Sequence, residues 1–154
     1  MRTLLFIPLF VVTVFASETT FLVKSRSMTP FLTPGDVVTI EENAYAEVSP
    51  ARFEIVALKL EHPPFDRRIL RVVGLPGEHV EITEAGIQIN KKPIKLPSQS
   101  VGSYYVELKV PTFLDIKLQE NEYYVLGDNP DHSFDSRFFG KTTQTSILGK
   151  VTKE

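Results

Sequence analysis

The chain has 154 residues, 42% of them hydrophobic, and a formal net charge of −2. That supports one domain with a modest core, and it excludes bulk disorder and the clustered basic face of a nucleic-acid binder. The lack of cysteine excludes disulfides, thiolate metal sites and a cysteine nucleophile, while His62, His79 and His132 show no metal-ligand spacing such as HExxH; no cofactor or metal is expected.

Thr3 to Ser17 form an uncharged run of fifteen residues, with Arg2 before it and Glu18 after it. As a helix it would span about 22 Å, short of the ~30 Å hydrocarbon core of a bilayer. Two readings follow. One is a cleaved signal peptide with Val14-Phe15-Ala16 as its small-residue exit. The other is a short membrane anchor reaching Val23, followed by a β-rich domain over residues 24–154. Under either reading Arg2 and the free amino group favour the cytoplasmic side, which leaves the rest of the chain outside the cytoplasm.

After residue 30 the apolar residues rarely keep helical spacing. Short β-rich runs recur instead at Val37–Ile40, Phe53–Leu58, Ile69–Val73, His79–Ile82, Gly86–Ile89, Tyr104–Leu108 and Tyr123–Leu126. Turn signals separate them, among them Pro34-Gly35-Asp36, Pro76-Gly77-Glu78 and Gly127-Asp128-Asn129-Pro130. His79–Thr83 and Gly86–Asn90 form the clearest hairpin. Thr112–Asn121 is a weak helical candidate, residues 59–68 read as an exposed connection around Pro63 and Pro64, and Leu96–Gly102 as a loop. The class is all-β or mostly β: a small, strongly coiled antiparallel sheet or partly open barrel.

Four blocks carry chemistry. They are Ser25-Arg26-Ser27-Met28-Thr29-Pro30-Phe31-Leu32, then Gly35-Asp36-Val37-Val38, then Arg71-Val72-Val73-Gly74-Leu75-Pro76-Gly77-Glu78-His79-Val80, and then Gly127-Asp128-Asn129-Pro130-Asp131-His132-Ser133-Phe134-Asp135-Ser136-Arg137-Phe138-Phe139-Gly140. In that order the chain resembles the type I signal peptidases, whose boxes read SGSMxPTL, GD plus a strand, KRVVGLPGDxV and GDNRxxSxDSRxxG. Ile147-Leu148-Gly149-Lys150 also matches the family's IxGK ending. The resemblance implies a membrane-bound serine endopeptidase that removes signal peptides from exported preproteins after small residues of the Ala-x-Ala type. It favours the retained anchor: a single-pass protein with a cytoplasmic amino terminus, in contact with membrane lipid. Secretion or pilus components are further possible partners; nucleic acid is not.

By the same resemblance Ser27 matches the nucleophile. Ser25 matches the hydroxyl that helps the nucleophile's own N–H to stabilise the oxyanion, and Ser133 the serine that orients the base. Asp128, Asp135 and Arg137 match structural support around them. Outside this context the serines read as turn residues before a proline, and Asp135–Arg137 as a solvated ion pair of little energetic worth. The family's base is a lysine amine, made available by burial in apolar surroundings.

Here Leu70 stands where that lysine is expected, and leucine accepts no proton. Arg67, Arg68 and Arg71 stay protonated. Lys24 is too close in sequence to Ser27 for a buried pair, and Lys59 reads as solvent-facing. His132, one residue before Ser133, is the candidate substitute base, with a surface loop histidine as the alternative. Arg26, Phe31 and Pro130 also depart from the family pattern. Two functional readings result: a working signal peptidase, or a catalytically impaired homologue that binds peptides or assists assembly.

Overall fold

The structure, a computed structural model, describes residues 17–61, 67–98, 103–104 and 113–153. These hold eleven strands: β1 (Glu18–Leu22), β2 (Val37–Glu41), β3 (Ile55–Lys59), β4 (Arg67–Gly74), β5 (His79–Thr83), β6 (Gly86–Ile89), β7 (Lys92–Ile94), β8 (Asp115–Lys117), β9 (Glu122–Leu126), β10 (Thr142–Thr143) and β11 (Ile147–Lys153). A one-turn helix, α1 (Ser136–Phe139), precedes β10. Every strand pairing is antiparallel. One sheet runs β1-β2-β11-β3-β4-β9-β10, and a smaller one runs β7-β6-β5-β8.

The burial pattern follows the sequence pattern. β2 and β5 alternate, with Val38, Ile40, Val80 and Ile82 turned inward, as strands with one wet face should. β3 and β9 are nearly continuous apolar runs because both of their faces are covered. One face packs Ile55 and Ala57 against Met28, Leu32, Val38 and Ile40. The other packs Val56 and Leu58 with Leu70, Val72, Tyr123 and Val125. A third cluster joins the two sheets through Val73, Val80, Leu118, Tyr124 and Leu126.

Gly74 ends β4 where the sheets meet. A Cβ there would lie 2.6 Å from Val80, 2.8 Å from Leu118 and 2.9 Å from Tyr124. Gly74→Ala is therefore expected to destabilise the fold by about 1–3 kcal/mol, the usual cost of overpacking. The midpoint of urea denaturation measures it; an unchanged midpoint would show that these neighbours give way freely.

The β-rich reading and the 79–90 hairpin match the structure, with Val80 opposite Ile89 and Thr83 opposite Gly86. Three expectations need correction. Among the described residues no helix is long and apolar enough to cross a membrane. The expected transmembrane anchor reaching Val23, and the single-pass membrane placement built on it, are overturned there: residues 18–22 are a strand. Their Thr-Thr-Phe-Leu run suits a pleated edge, and Phe21 pairs opposite Val38 on β2. Residues 3–16 of the uncharged run lie outside the described residues. The helical candidate at 112–121 is also wrong. Its described part carries β8, because Ile116 sits opposite Val80 and completes the small sheet. Finally, the exposed connection is shorter than expected at its carboxyl end, since Arg67 and Arg68 already pair with Lys59 and Leu58. The expected strand at 104–108 lies outside the described residues beyond Tyr104, as does most of the 96–102 loop beyond Ser98.

Candidate active site

Ser25 and Ser27 sit on the loop between β1 and β2. The loop starts from Val23, whose N–H donates to the Asp36 carbonyl at 2.8 Å and whose carbonyl accepts from Gly35 N–H at 2.9 Å. Two tight turns follow, Thr29 N–H to Arg26 C=O at 3.1 Å and Leu32 N–H to Met28 C=O at 2.9 Å. Met28 and Leu32 are fully buried, so the loop is nailed to the core on either side of its turns. This holds the two hydroxyls together, with Ser25 Oγ 2.9 Å from Ser27 Oγ. Ser27 is buried, while Arg26 between them points into solvent.

The fourth block comes to Ser27 from β9. Asn129 N–H donates to the Ser27 carbonyl at 2.9 Å. Gly127 is where the two segments touch: a Cβ there would lie 2.5 Å from the Ser27 carbonyl oxygen and 2.3 Å from Ser133 Oγ. Only glycine permits this approach, and through it the backbone of Ser27 and the hydroxyl of Ser133 share one neighbour. Ser133 is buried, and its hydroxyl has no hydrogen-bond partner among the described residues. A buried unpartnered hydroxyl costs about 1–3 kcal/mol, so its survival beside Ser27 points to a use other than folding.

Two buried ion pairs brace this junction. Asp135 caps α1 and accepts from Arg137 Nε at 2.8 Å, Arg137 Nη2 at 3.0 Å and Gly127 N–H at 3.1 Å. Arg137 also donates to the carbonyls of Pro130 at 2.9 Å and Ser133 at 3.3 Å. Both side chains are fully buried, so this is not the solvated pair that the residues in isolation suggest. Asp128 takes a bidentate grip from Arg71, Nε to Oδ1 and Nη2 to Oδ2, both at 2.7 Å. Arg71 further donates to the Phe53 carbonyl and to Ser98 Oγ, each at 2.8 Å, and Ser98 Oγ donates to Asp128. The sequence reading placed Arg71 in the third block and set it aside as a base, and missed it as the partner of Asp128. The signal was present in part, since each lies in a recognised block and Arg71 is a charge inside an apolar run.

Leu70 is fully buried on the β4 face that carries Val72, packed with Val56, Leu58, Tyr123 and Val125. Burying a leucine this well contributes about 1.5–3 kcal/mol. His132 ends a 3-10 turn after Asn129, and its ring is exposed. Lys59 is exposed at the end of β3, and Lys24 is exposed as well.

Beside Ser25 lies a groove of about 330 Å³ lined by Val23, Met28, Leu32, Ala57 and Ile69. Its β4 wall has an open edge. Arg67 to Leu70 pair with β3 on one side, and among the described residues β9 meets β4 only from Arg71 onward. Such an edge can accept an extended peptide as an added strand. The sequence reading did not foresee this groove, because its walls come from segments far apart in the chain.

Comparisons with known proteins bear on the family and the fold. The family model described as signal peptidase, peptidase S26, matches residues 1–153. A signal peptidase I from Leptolyngbya laminosa is 33% identical over 84% of this chain, and a probable signal peptidase I-2 from Synechocystis is 30% identical over 84%. The chain spans 64% and 59% of the lengths of those two proteins, respectively. Signal peptidase I V from Bacillus subtilis is 32% identical over 84% of this chain and 81% of its own length. The crystal structure of a signal peptidase I from Enterococcus faecalis superimposes with a TM-score of 0.54 at 30% identity, covering 68% of this chain and 97% of that one. With four blocks, the curled sheet and these matches in agreement, the chain belongs to the signal peptidase family, peptidase S26.

Proposed function

We propose that this chain binds exported preproteins in extended form in the groove beside Ser27, as a signal-peptidase-type serine endopeptidase whose cleavage step is slow. The observation that carries this reading is the Ser25–Ser27 hydroxyl pair at the mouth of an apolar groove, together with a buried leucine, Leu70, at the sequence position of the family's base. Small side chains of an Ala-x-Ala stretch suit a groove floored by Met28, Ala57 and Ile69. The open edge of β4 supplies backbone partners for the peptide.

In the cut itself, Ser27 Oγ attacks the peptide carbonyl and forms an acyl-enzyme, which water then releases. The Ser25 hydroxyl and the Ser27 N–H stabilise the oxyanion that develops. The Ser27 proton needs an acceptor, and a serine hydroxyl is a weak nucleophile without one. Leu70 supplies none, and His132 is exposed with its ring turned to solvent. Oxyanion donors and binding alone leave roughly 10³–10⁴-fold acceleration over water in serine proteases stripped of their base. Slow turnover with retained binding is therefore the expected behaviour.

A labelled Ala-x-Ala peptide tests this with the unaltered chain and Ser27→Ala. Both proteins should bind the peptide, and the slow cleavage by the unaltered chain should disappear in the variant. Cleavage that survives Ser27→Ala would sink the Ser27 mechanism. The second reading, an efficient endopeptidase, draws on the retained trio Ser25, Ser27 and Ser133. Rapid turnover abolished by His132→Ala would establish it instead.

A further inference from the structure

We propose that Tyr104 is a positioning residue of the active site, whose hydroxyl holds the Gly127 carbonyl and through it the backbone of Ser27 and the side chain of Ser133. Its consequence for cleavage rests on the proposed function; its grip on Gly127 does not.

Tyr104 is buried, and its ring packs in the cluster that joins the two sheets. A phenylalanine ring would fill that space as well. The hydroxyl is what packing leaves unexplained, and a buried phenol needs a partner. Here the partner is the Gly127 carbonyl, to which Tyr104 donates at 2.6 Å. The N–H of the same glycine donates to Asp135 at 3.1 Å. Gly127 is thus held at both of its peptide groups, one on each side of its Cα.

The two grips are joined to each other. Asp135 accepts from Arg137 Nε at 2.8 Å. The Arg137 guanidinium in turn lies 5.2 Å from the centre of the Tyr104 ring, where a cation is attracted to the ring face. Tyr104, Gly127, Asp135 and Arg137 form a closed circuit of buried groups. Burial, followed by the nearby Asp128 and Asp135 carboxylates, raises the Tyr104 hydroxyl above the ordinary tyrosine pKa. It therefore stays protonated, and a donor, at neutral pH.

Gly127 is where this circuit meets the site. A Cβ there would lie 2.5 Å from the Ser27 carbonyl oxygen and 2.3 Å from Ser133 Oγ, so the glycine has little room to shift. A turn of the peptide after Gly127 would also pass to Asn129, whose N–H holds the Ser27 carbonyl at 2.9 Å. Ser27 supplies the attacking hydroxyl and one oxyanion donor, and both depend on placement. Tyr104 does not line the groove that takes the peptide. Loss of its hydroxyl should therefore lower the rate of the cut and leave peptide affinity alone.

The test compares Tyr104→Phe with Tyr124→Phe on the full chain. Each removes one oxygen from a buried tyrosine whose hydroxyl donates to a backbone carbonyl at 2.6 Å, that of Gly127 for Tyr104 and that of Phe113 for Tyr124. Loss of a buried hydrogen bond is common to both, but only the first acts on Gly127. Amide hydrogen exchange followed by NMR should show the Gly127 and Asn129 N–H groups exchanging about five-fold faster in Tyr104→Phe than in Tyr124→Phe, the scale of one hydrogen bond. Cleavage of a labelled Ala-x-Ala peptide at saturation should fall about five-fold in Tyr104→Phe and hold in Tyr124→Phe. The Kd of the peptide should be unchanged in both. Equal exchange in the two variants overturns the inference. So does a saturated rate that falls equally in both, or that stays at the unaltered level in Tyr104→Phe. A loss carried entirely by Kd overturns it as well. If no version cuts the peptide, the proposed cleavage fails on its own; faster exchange in Tyr104→Phe then still supports the grip on Gly127, and equal exchange overturns it.

Discussion

Leu70→Lys is expected to raise cleavage of an Ala-x-Ala peptide by about 10²–10⁴-fold, the range that a positioned general base contributes. Leu70 is fully buried among Val56, Leu58, Val72, Tyr123 and Val125. An amine introduced there is disfavoured in its charged form and so becomes a proton acceptor near neutral pH. Ser133, whose buried hydroxyl has no partner among the described residues, is the residue that the family resemblance assigns to holding it. The same substitution costs stability. The unfolded chain binds the lysine proton at neutral pH and the folded chain does not, so the variant should gain stability as pH rises, and its activity should rise over the same direction. Leu70→Met preserves the packing without a base and should leave activity low. Addition of Ser27→Ala to the lysine variant should abolish the gain. If Leu70→Lys folds and yet cuts no faster than the unaltered chain, position 70 is not the site of the missing base.

Asp135→Asn is expected to cost about 3–5 kcal/mol of stability, the usual penalty when one partner of a buried ion pair loses its charge. Arg137 is fully buried and would lose its charged partner, keeping the Pro130 and Ser133 carbonyls and at best one neutral amide oxygen as acceptors. Against a total folding free energy of about 5–15 kcal/mol this is a large fraction. The loss reaches the site because Asp135 also accepts from Gly127 N–H, and Gly127 is the point where Ser27 and Ser133 converge. Urea denaturation with an unchanged slope measures the stability. A double-mutant cycle with Arg137→Met separates the pair from its surroundings, and the doubly altered chain should recover part of the loss, since an apolar replacement leaves no orphaned charge. A cost below about 1 kcal/mol would place this pair with weakly contributing surface pairs.

Local chemistry was legible in the sequence. Alternating β-branched runs between Gly, Pro and Asn turns identify β2, β5 and β6, because period-two burial and turn conformations are properties of neighbouring residues. The blocks around Ser27, Arg71 and Gly127 were legible for a similar reason, being short and fixed in spacing. Leu70 could be recognised as an unusual residue from its place before Arg71-Val72-Val73-Gly74. Where the sequence misled, the deciding partner was distant. Residues 18–22 follow an uncharged run and could pass for the end of an anchor, yet β2 offers them a ladder edge about twenty residues later, which makes them strand. Asp115–Lys117 lies in a helical candidate but completes a sheet against β5. The tertiary structure alone decided that Asp128 pairs with Arg71 across 57 positions, that Asp135 and Arg137 are buried, and that Lys24, Arg67 and Arg68 share one groove. Burial and ion pairing depend on which surfaces the fold brings together, and no window of neighbouring residues contains that information.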